Sequence, residues 1–251
     1  MTSTDDLVSV LKKLRLSGVL LTLPLRIRQA VEENLDHQEF LYRLLHDETE
    51  RRDGKQLDLR LGRANFEHQK TMEDFDFHFN PGVPRSQVIE LATCGFVGRH
   101  EVVLLLGATG VGKSHLAQAL GHRAVRHGHT VLYTGANALF AQLRAARGDG
   151  SFDRRMLKYT SPDLLIIDDL GLMPLRGEEP ADLYEVIRHR YERGALIITS
   201  NRALPEWPPL FGDPLLASAA MDRLLHHAHV VEIEGDSYRS SRRARAAAAS
   251  A

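Results

Sequence analysis

The chain has 251 residues, 43% of them hydrophobic, which is enough for one well-buried α/β domain and a smaller accessory unit. With 32 Lys and Arg against 33 Asp and Glu the formal net charge is −1, so the molecule as a whole is not a polycation, and any nucleic-acid surface must be local. The single cysteine, Cys94, excludes an internal disulfide framework and a four-cysteine zinc site, and reads as a small buried hydrophobe.

The acidic start MTSTDDLVSVLKK lacks the apolar core and small-residue cleavage site of an export signal. No apolar run approaches the roughly 20 residues that a membrane-crossing helix needs, so the expectation is a cytoplasmic protein with no membrane partner. Residues 1–65 are predicted to form a small all-helical domain. Leu7, Leu11 and Leu14 recur at helical spacing behind Thr4, and a second helix starts at an Asp36/Glu39 capping box with Phe40, Leu41, Leu44 and Leu45 on one face. Both stripes are expected to form a bundle core. Residues 66–86 read as a linker, with Phe75, Phe77 and Phe79 packing on the next domain ahead of Asn80-Pro81-Gly82.

From residue 87 to 238 the pattern becomes α/β. The runs Val102–Leu106, Thr130–Thr134, Leu164–Asp168 and Ala195–Ser200 are apolar on both faces, as parallel strands flanked by helices must be. Residues 239–251 have no apolar period and are expected to be a flexible basic, Ala-rich tail.

Gly107-Ala108-Thr109-Gly110-Val111-Gly112-Lys113-Ser114 fits the phosphate-loop pattern G-x-x-x-x-G-K-[ST] at every fixed position, between an apolar strand and the helical face Leu116, Ala117, Leu120 and Ala124. The glycines let backbone N–H groups turn toward a phosphate chain. Lys113 then meets the β- and γ-phosphates of ATP, and the Ser114 hydroxyl ligates Mg²⁺. His115 follows in the same loop-to-helix start. In Leu164–Asp169 (LLIIDD), Asp168 is the expected Mg²⁺-side carboxylate, and Asp169, alternating to the other side of the strand end, is the candidate for polarising the attacking water. Asn201, after the strand Ala195–Ser200, is placed to hold a water near the γ-phosphate.

Two further groups stand out. The stretch 143–160 carries Arg144, Arg147, Arg154, Arg155 and Lys158 against only Asp149 and Asp153, and by itself reads as a solvated helix face. The histidine clusters, His122, His127 and His129, and His226, His227 and His229, lack the spacing and the thiol or carboxylate companions of a metal site, so surface or packing roles are expected.

Taken together, LKKLRLSG, the FDF linker, GATGVGKSHLAQALG, LLIIDDLG, YERGALIITSN, MDRLLHHAHVVEIEGDSYR and their order resemble the AAA+ ATPases of the IstB and DnaC group, IstB-like transposition helpers above all. The resemblance implies a P-loop AAA+ domain behind the helical N-terminal unit, Mg-dependent ATP hydrolysis, and a homo-oligomer, ring or spiral, in which Arg223 is an arginine finger acting on a neighbour's ATP. It implies that Arg239 senses nucleotide from the lid side. It also implies that the basic stretch lines the inside of a spiral on duplex DNA, largely independent of sequence, and that a cognate transposase is the partner, which would associate the protein with the nucleoid. Many members carry Glu where this chain has Asp169, one methylene shorter, which implies slow turnover. A DnaC-like helicase loader is the alternative within the group, and a P-loop kinase the alternative outside it.

Overall fold

The computed structural model describes residues 4–235, 237 and 238. The predicted tail, with Arg239, lies outside them. Contacts divide the chain into two compact units, Met1–Leu59 and Arg60–Ala251.

The first unit holds α1 (Thr4–Lys13), α2 (Ser17–Glu32) and most of α3 (His37–Ala64). Asp36 Oδ1 accepts the Glu39 N–H at 2.8 Å, capping the start of α3. The start of α2 is capped from a distance: the buried Glu48 carboxylate accepts the Gly18 and Val19 N–H groups and is itself paired with Arg52 at 2.7 Å. The core is narrower than the leucine spacing predicts. Leu11, Val19, Leu23 and Leu44 are buried against Leu16, Leu20 and Phe40. Leu7, Leu14, Leu41 and Leu45 are instead 40–59% exposed. The reason is geometric: helices joined by tight turns meet along one seam, and a wider apolar stripe exceeds it.

The second unit begins within the end of α3 and continues through α4 (Arg85–Leu91), α5 (Gly95–Gly98), β1 (Val102–Gly107), α6 (Lys113–Arg126), β2 (Val131–Gly135), α7 (Ala136–Gly148), α8 (Phe152–Thr160), β3 (Leu164–Leu170), α9 (Glu179–Arg190), β4 (Ala195–Ser200), α10 (Pro214–Leu225) and β5 (Ala228–Ile233). The five strands form a parallel sheet in the order β2-β3-β4-β1-β5. Alternation assigns the two faces. Leu104, Leu106, Leu132, Leu165, Ile167, Leu196 and Ile198 pack with the apolar sides of α7, α9 and α10. The intervening Ile166 meets Gly121 of α6. At β5 only Val231 and Ile233 are buried, so this edge strand lacks the continuous apolar run that marks the other four, and the sequence pattern passes over it.

Buried Arg190 closes the amino edge of the sheet. Its guanidinium donates to Tyr159 O, Asp163 O and Ala195 O at 3.0, 3.0 and 2.6 Å, and burial pulls its pKa down to about 10, still charged at neutral pH. Burial likewise raises the Cys94 thiol to about 11, leaving it protonated. Among the described residues no helix is long and apolar enough to cross a membrane.

Candidate nucleotide site

The phosphate loop runs from the end of β1 to the first residue of α6. Its three glycines all take positive φ, Gly107 at +144°, Gly110 at +89° and Gly112 at +107°. A Cβ at Gly107 would lie 2.1 Å from Ile233 O, and one at Gly110 2.3 Å from Ser237 Oγ, so no side chain fits either backbone. Ala108 and Thr109 form the exposed tip, while Val111 is buried beneath it. Lys113 is only 5% exposed, and its Nζ donates to Gly107 O (2.8 Å) and Ala108 O (2.7 Å), which folds the ammonium into the loop. Ser114 sits half-buried in the first turn of α6, where the helix dipole favours an anion.

The second part of the site is built by a β-bulge. Ile167 pairs with Ile198 and Leu170 with Ser200, so Asp168 and Asp169 together oppose Thr199. Asp169 takes the left-handed conformation, φ +57°, which Asp tolerates better than most residues. Simple strand alternation therefore does not describe the pair: the bulge re-aims Asp169 and leaves it exposed, whereas Asp168 is buried. Asp168 Oδ2 accepts the Tyr133 hydroxyl at 2.6 Å, and Asp168 Oδ1 accepts the Thr199 hydroxyl at 2.5 Å. The Thr199 oxygen in turn accepts the Asp169 N–H at 2.9 Å. Burial, reinforced by the bond to Asp168, drives the Tyr133 phenol pKa far up, so it remains a donor. Neither Tyr133 nor Thr199 stands out in the sequence. Both read there as ordinary strand residues, and only the register reveals that they grip Asp168.

The segment 66–86 frames the loop. Phe75 Cε2 approaches Gly112 closely enough that a Cβ there would be 2.9 Å away. Phe75 also stands edge-on to His115 with ring centroids at 5.2 Å, and to Phe77 at 4.8 Å. His115 Nε2 lies 2.9 Å from Thr71 O, and burial depresses the imidazole pKa. Buried Asn80 donates to Val111 O at 3.4 Å. Phe79 meets Tyr238, whose N–H donates to Gly110 O at 3.0 Å.

The remaining sequence-predicted residues fall in three places. Asn201 follows β4 directly, exposed, at the same carboxyl edge of the sheet as the loop and Asp168. Arg223 is at the opposite edge. It lies in the last turn of α10, just before β5, whose first residue Ala228 pairs with Val102, the first residue of β1. The length of β1 then separates it from the phosphate loop by about 17 Å. There Arg223 donates to Ala219 O at 2.8 Å and lies over the Tyr184 ring at 5.5 Å. In the basic stretch, Arg144 pairs with Glu179, and Arg147 pairs with buried Asp182 while stacking on Phe152 at 4.0 Å. Arg154 and Lys158 are exposed on α8, Lys158 reaching Gln142 at 3.2 Å, and Arg155 is half-buried.

The family model described as IstB-like ATP binding protein matches residues 9–246. The ATP-binding protein of insertion sequence IS21 from Pseudomonas aeruginosa is 38% identical over 234 residues, 93% of this chain and 88% of the relative. An insertion-sequence ATP-binding protein of Mycobacterium tuberculosis is 40% identical over 236 residues, 94% of each chain. Among solved structures, DnaI superposes with a TM-score of 0.57 at 21% identity, covering 66% of this chain and 92% of DnaI. AMPPCP-bound DnaA from Aquifex aeolicus superposes at 0.54 and 23% identity, covering 70% of this chain and 53% of DnaA, so the chain spans about half of that protein. These two likenesses carry the fold, a P-loop AAA+ domain. With both the sequence match and the phosphate loop in place, the chain belongs to the IstB-like ATP-binding protein family.

Proposed function

We propose that the chain is an ATP-hydrolysing transposition helper that assembles as a homo-oligomer on duplex DNA, remodels it and stimulates a cognate transposase. The observation that carries this reading is the division of the chemistry between two edges of one sheet. The phosphate loop, Asp168, Asp169 and Asn201 share the carboxyl edge, and Arg223 lies at the amino edge. An arginine so placed serves the nucleotide of a second copy, which ties turnover to assembly. The insertion-sequence relatives support the transposase partner.

The loop fits ATP: a backbone cradle that a Cβ would fill, with a buried lysine folded into it. Its amides and Lys113, exchanging its carbonyl partners for phosphate oxygens, would hold the triphosphate. Ser114 and Asp168 offer the hard oxygen donors that Mg²⁺ takes, and Mg²⁺ when bound neutralises charge on the transferred phosphoryl group. Asp169 accepts the proton of the attacking water as the bond from the γ-phosphorus to the bridging oxygen breaks, releasing ADP and phosphate. Asn201 orients that water. Arg239 would sense the nucleotide from the lid side. Arg154, Arg155 and Lys158 supply sequence-independent phosphate contacts to DNA, with Arg144 and Arg147 held in the same layer by their acids.

A helicase loader is the second reading, favoured by the fold shared with the DnaC helicase loader, and differs in partner rather than in nucleotide chemistry. ATPase rate against protein concentration, with and without duplex DNA, tests the proposal. Wild-type turnover per subunit should rise with concentration and with DNA, and Arg223→Ala should lower it on the order of 10³-fold while ATP still binds. Turnover that is flat with concentration, indifferent to DNA and unaffected by Arg223→Ala would leave a monomeric P-loop enzyme, such as a kinase, as the better account.

A further inference from the structure

At the amino edge of the sheet, the turn before β4 meets the turn after α10. Glu192, His226 and His227 each offer one ligand atom there, and these atoms all lie within 4.8 Å of one another. The histidine run alone has no metal spacing because the missing carboxylate comes from a different turn. The rest of that run is spent elsewhere, His229 being paired with Glu101 at 2.8 Å.

We propose that Glu192, His226 and His227 form a binding site for a zinc-class divalent cation. Two imidazoles and one carboxylate are the donor set that zinc takes when it keeps a fourth position for water, and a set that Mg²⁺ and Ca²⁺ do not favour. Ligand atoms at about 2.0–2.1 Å from a tetrahedral ion are about 3.3 Å apart, so closing the site needs shifts on the order of 1 Å in exposed side chains. His226 is already oriented: its Nδ1 lies 2.8 Å from the Tyr191 hydroxyl oxygen. With the proton on Nδ1 donated to that oxygen, Nε2 is left as the ligand, which is the outer hydrogen bond a metal-bound imidazole usually has. Glu192 is held in the left-handed region at φ +57°, a conformation that for glutamate costs energy and that fixes where its side chain leaves the turn.

Positive neighbours do not preclude a cation. Arg99, Arg190 and Arg223 line the adjoining cavity of about 260 Å³ together with His227 and Glu192. Arg99 is ion-paired with Glu101, whereas Arg190 and Arg223 donate to carbonyls and keep their charge. The three ligands are exposed, so solvent and salt screen that repulsion and the ligand bonds outweigh it. The inference concerns binding alone and stands whether or not the chain hydrolyses ATP.

The test is titration of the full chain with Co²⁺, read by the visible absorption of the tetrahedral ion, followed by displacement with Zn²⁺. Wild-type protein should take up one equivalent that Zn²⁺ displaces. His226→Gln and His227→Gln, at exposed positions that leave the fold intact by circular dichroism, should each weaken it at least tenfold. Tyr191→Phe should weaken it about tenfold by releasing the His226 ring. His127→Gln, far along the chain on an exposed turn, should change nothing. Absence of the tetrahedral band, or uptake unaltered in His226→Gln and His227→Gln, would overturn the proposal.

Discussion

Thr199→Val is the substitution that probes the architecture of the acidic pair most sharply. Valine keeps the volume of threonine inside a fully buried strand, so no cavity opens, and only the hydroxyl is lost. That hydroxyl donates to Asp168 Oδ1 and accepts from the Asp169 N–H. A hydrogen bond to a charged group contributes about 1.5–3 kcal/mol, and an amide left without its acceptor adds about 1 kcal/mol, so the loss should be on the order of 3 kcal/mol. This is a sizeable share of the roughly 5–15 kcal/mol that typically holds a domain, and a shift of the urea midpoint will show it. Catalysis should suffer separately. Without its anchor, the left-handed bulge at Asp169 relaxes, and a misplacement of about 1 Å costs on the order of 10² in kcat. ATP affinity should stay within a few-fold, because the phosphate loop is untouched. Thr199→Ser, which restores the hydroxyl, should recover both quantities. A valine variant with wild-type stability and kcat, or a serine variant as impaired as valine, would refute the reasoning.

Other substitutions test other parts of the account. Gly110→Ala should abolish ATP binding in equilibrium dialysis while leaving the far-ultraviolet spectrum intact, since the new Cβ would meet Ser237 Oγ at 2.3 Å on a backbone at φ +89°. Arg147→Ala strands buried Asp182 and should cost about 3 kcal/mol of stability. Arg154→Ala with Lys158→Ala should instead leave stability unchanged, and should reduce the slope of log DNA affinity against log salt by about 1 for each phosphate no longer neutralised. Asp47, paired with Arg26 at 2.6 Å, has its carboxyl held down to about 2 by that bond. A depressed carboxylate stabilises above its unfolded value near 4 and loses that contribution as pH falls toward about 2. Asp47→Asn should therefore lose about 1 kcal/mol at neutral pH and flatten the acid limb of stability between those values.

What could be read from the residues, and what could not, follows from the range of the interactions. The phosphate loop is local: eight consecutive residues fix their own turn, and flanking apolar runs mark the strand and the helix. The strands β1 to β4 are equally local, because burial on both faces writes itself as short, largely apolar runs. The edge strand β5 escapes for the converse reason, being apolar on one side only. Asp168 announces itself at the end of its strand, but Tyr133 and Thr199 come from β2 and β4, and their grip on it depends on register between strands distant in sequence. The bulge at Asp169 is likewise invisible to a pattern of two. In the N-terminal unit the spacing gives α1 and α3 but passes over α2, which stands between them, and it overstates the core, since spacing cannot say how wide a seam the partner covers.

The claim that matters most is that one subunit completes another's site, and mixing two inactive variants tests it directly. Lys113→Ala removes the ammonium from the phosphate loop yet keeps Arg223. Arg223→Ala keeps the loop and loses the arginine. Neither should hydrolyse ATP alone, and a mixture should regain a substantial fraction of wild-type turnover in the presence of duplex DNA, as each Arg223→Ala nucleotide site meets a Lys113→Ala neighbour. A mixture no more active than its components, under conditions in which the two variants co-assemble, would contradict the account.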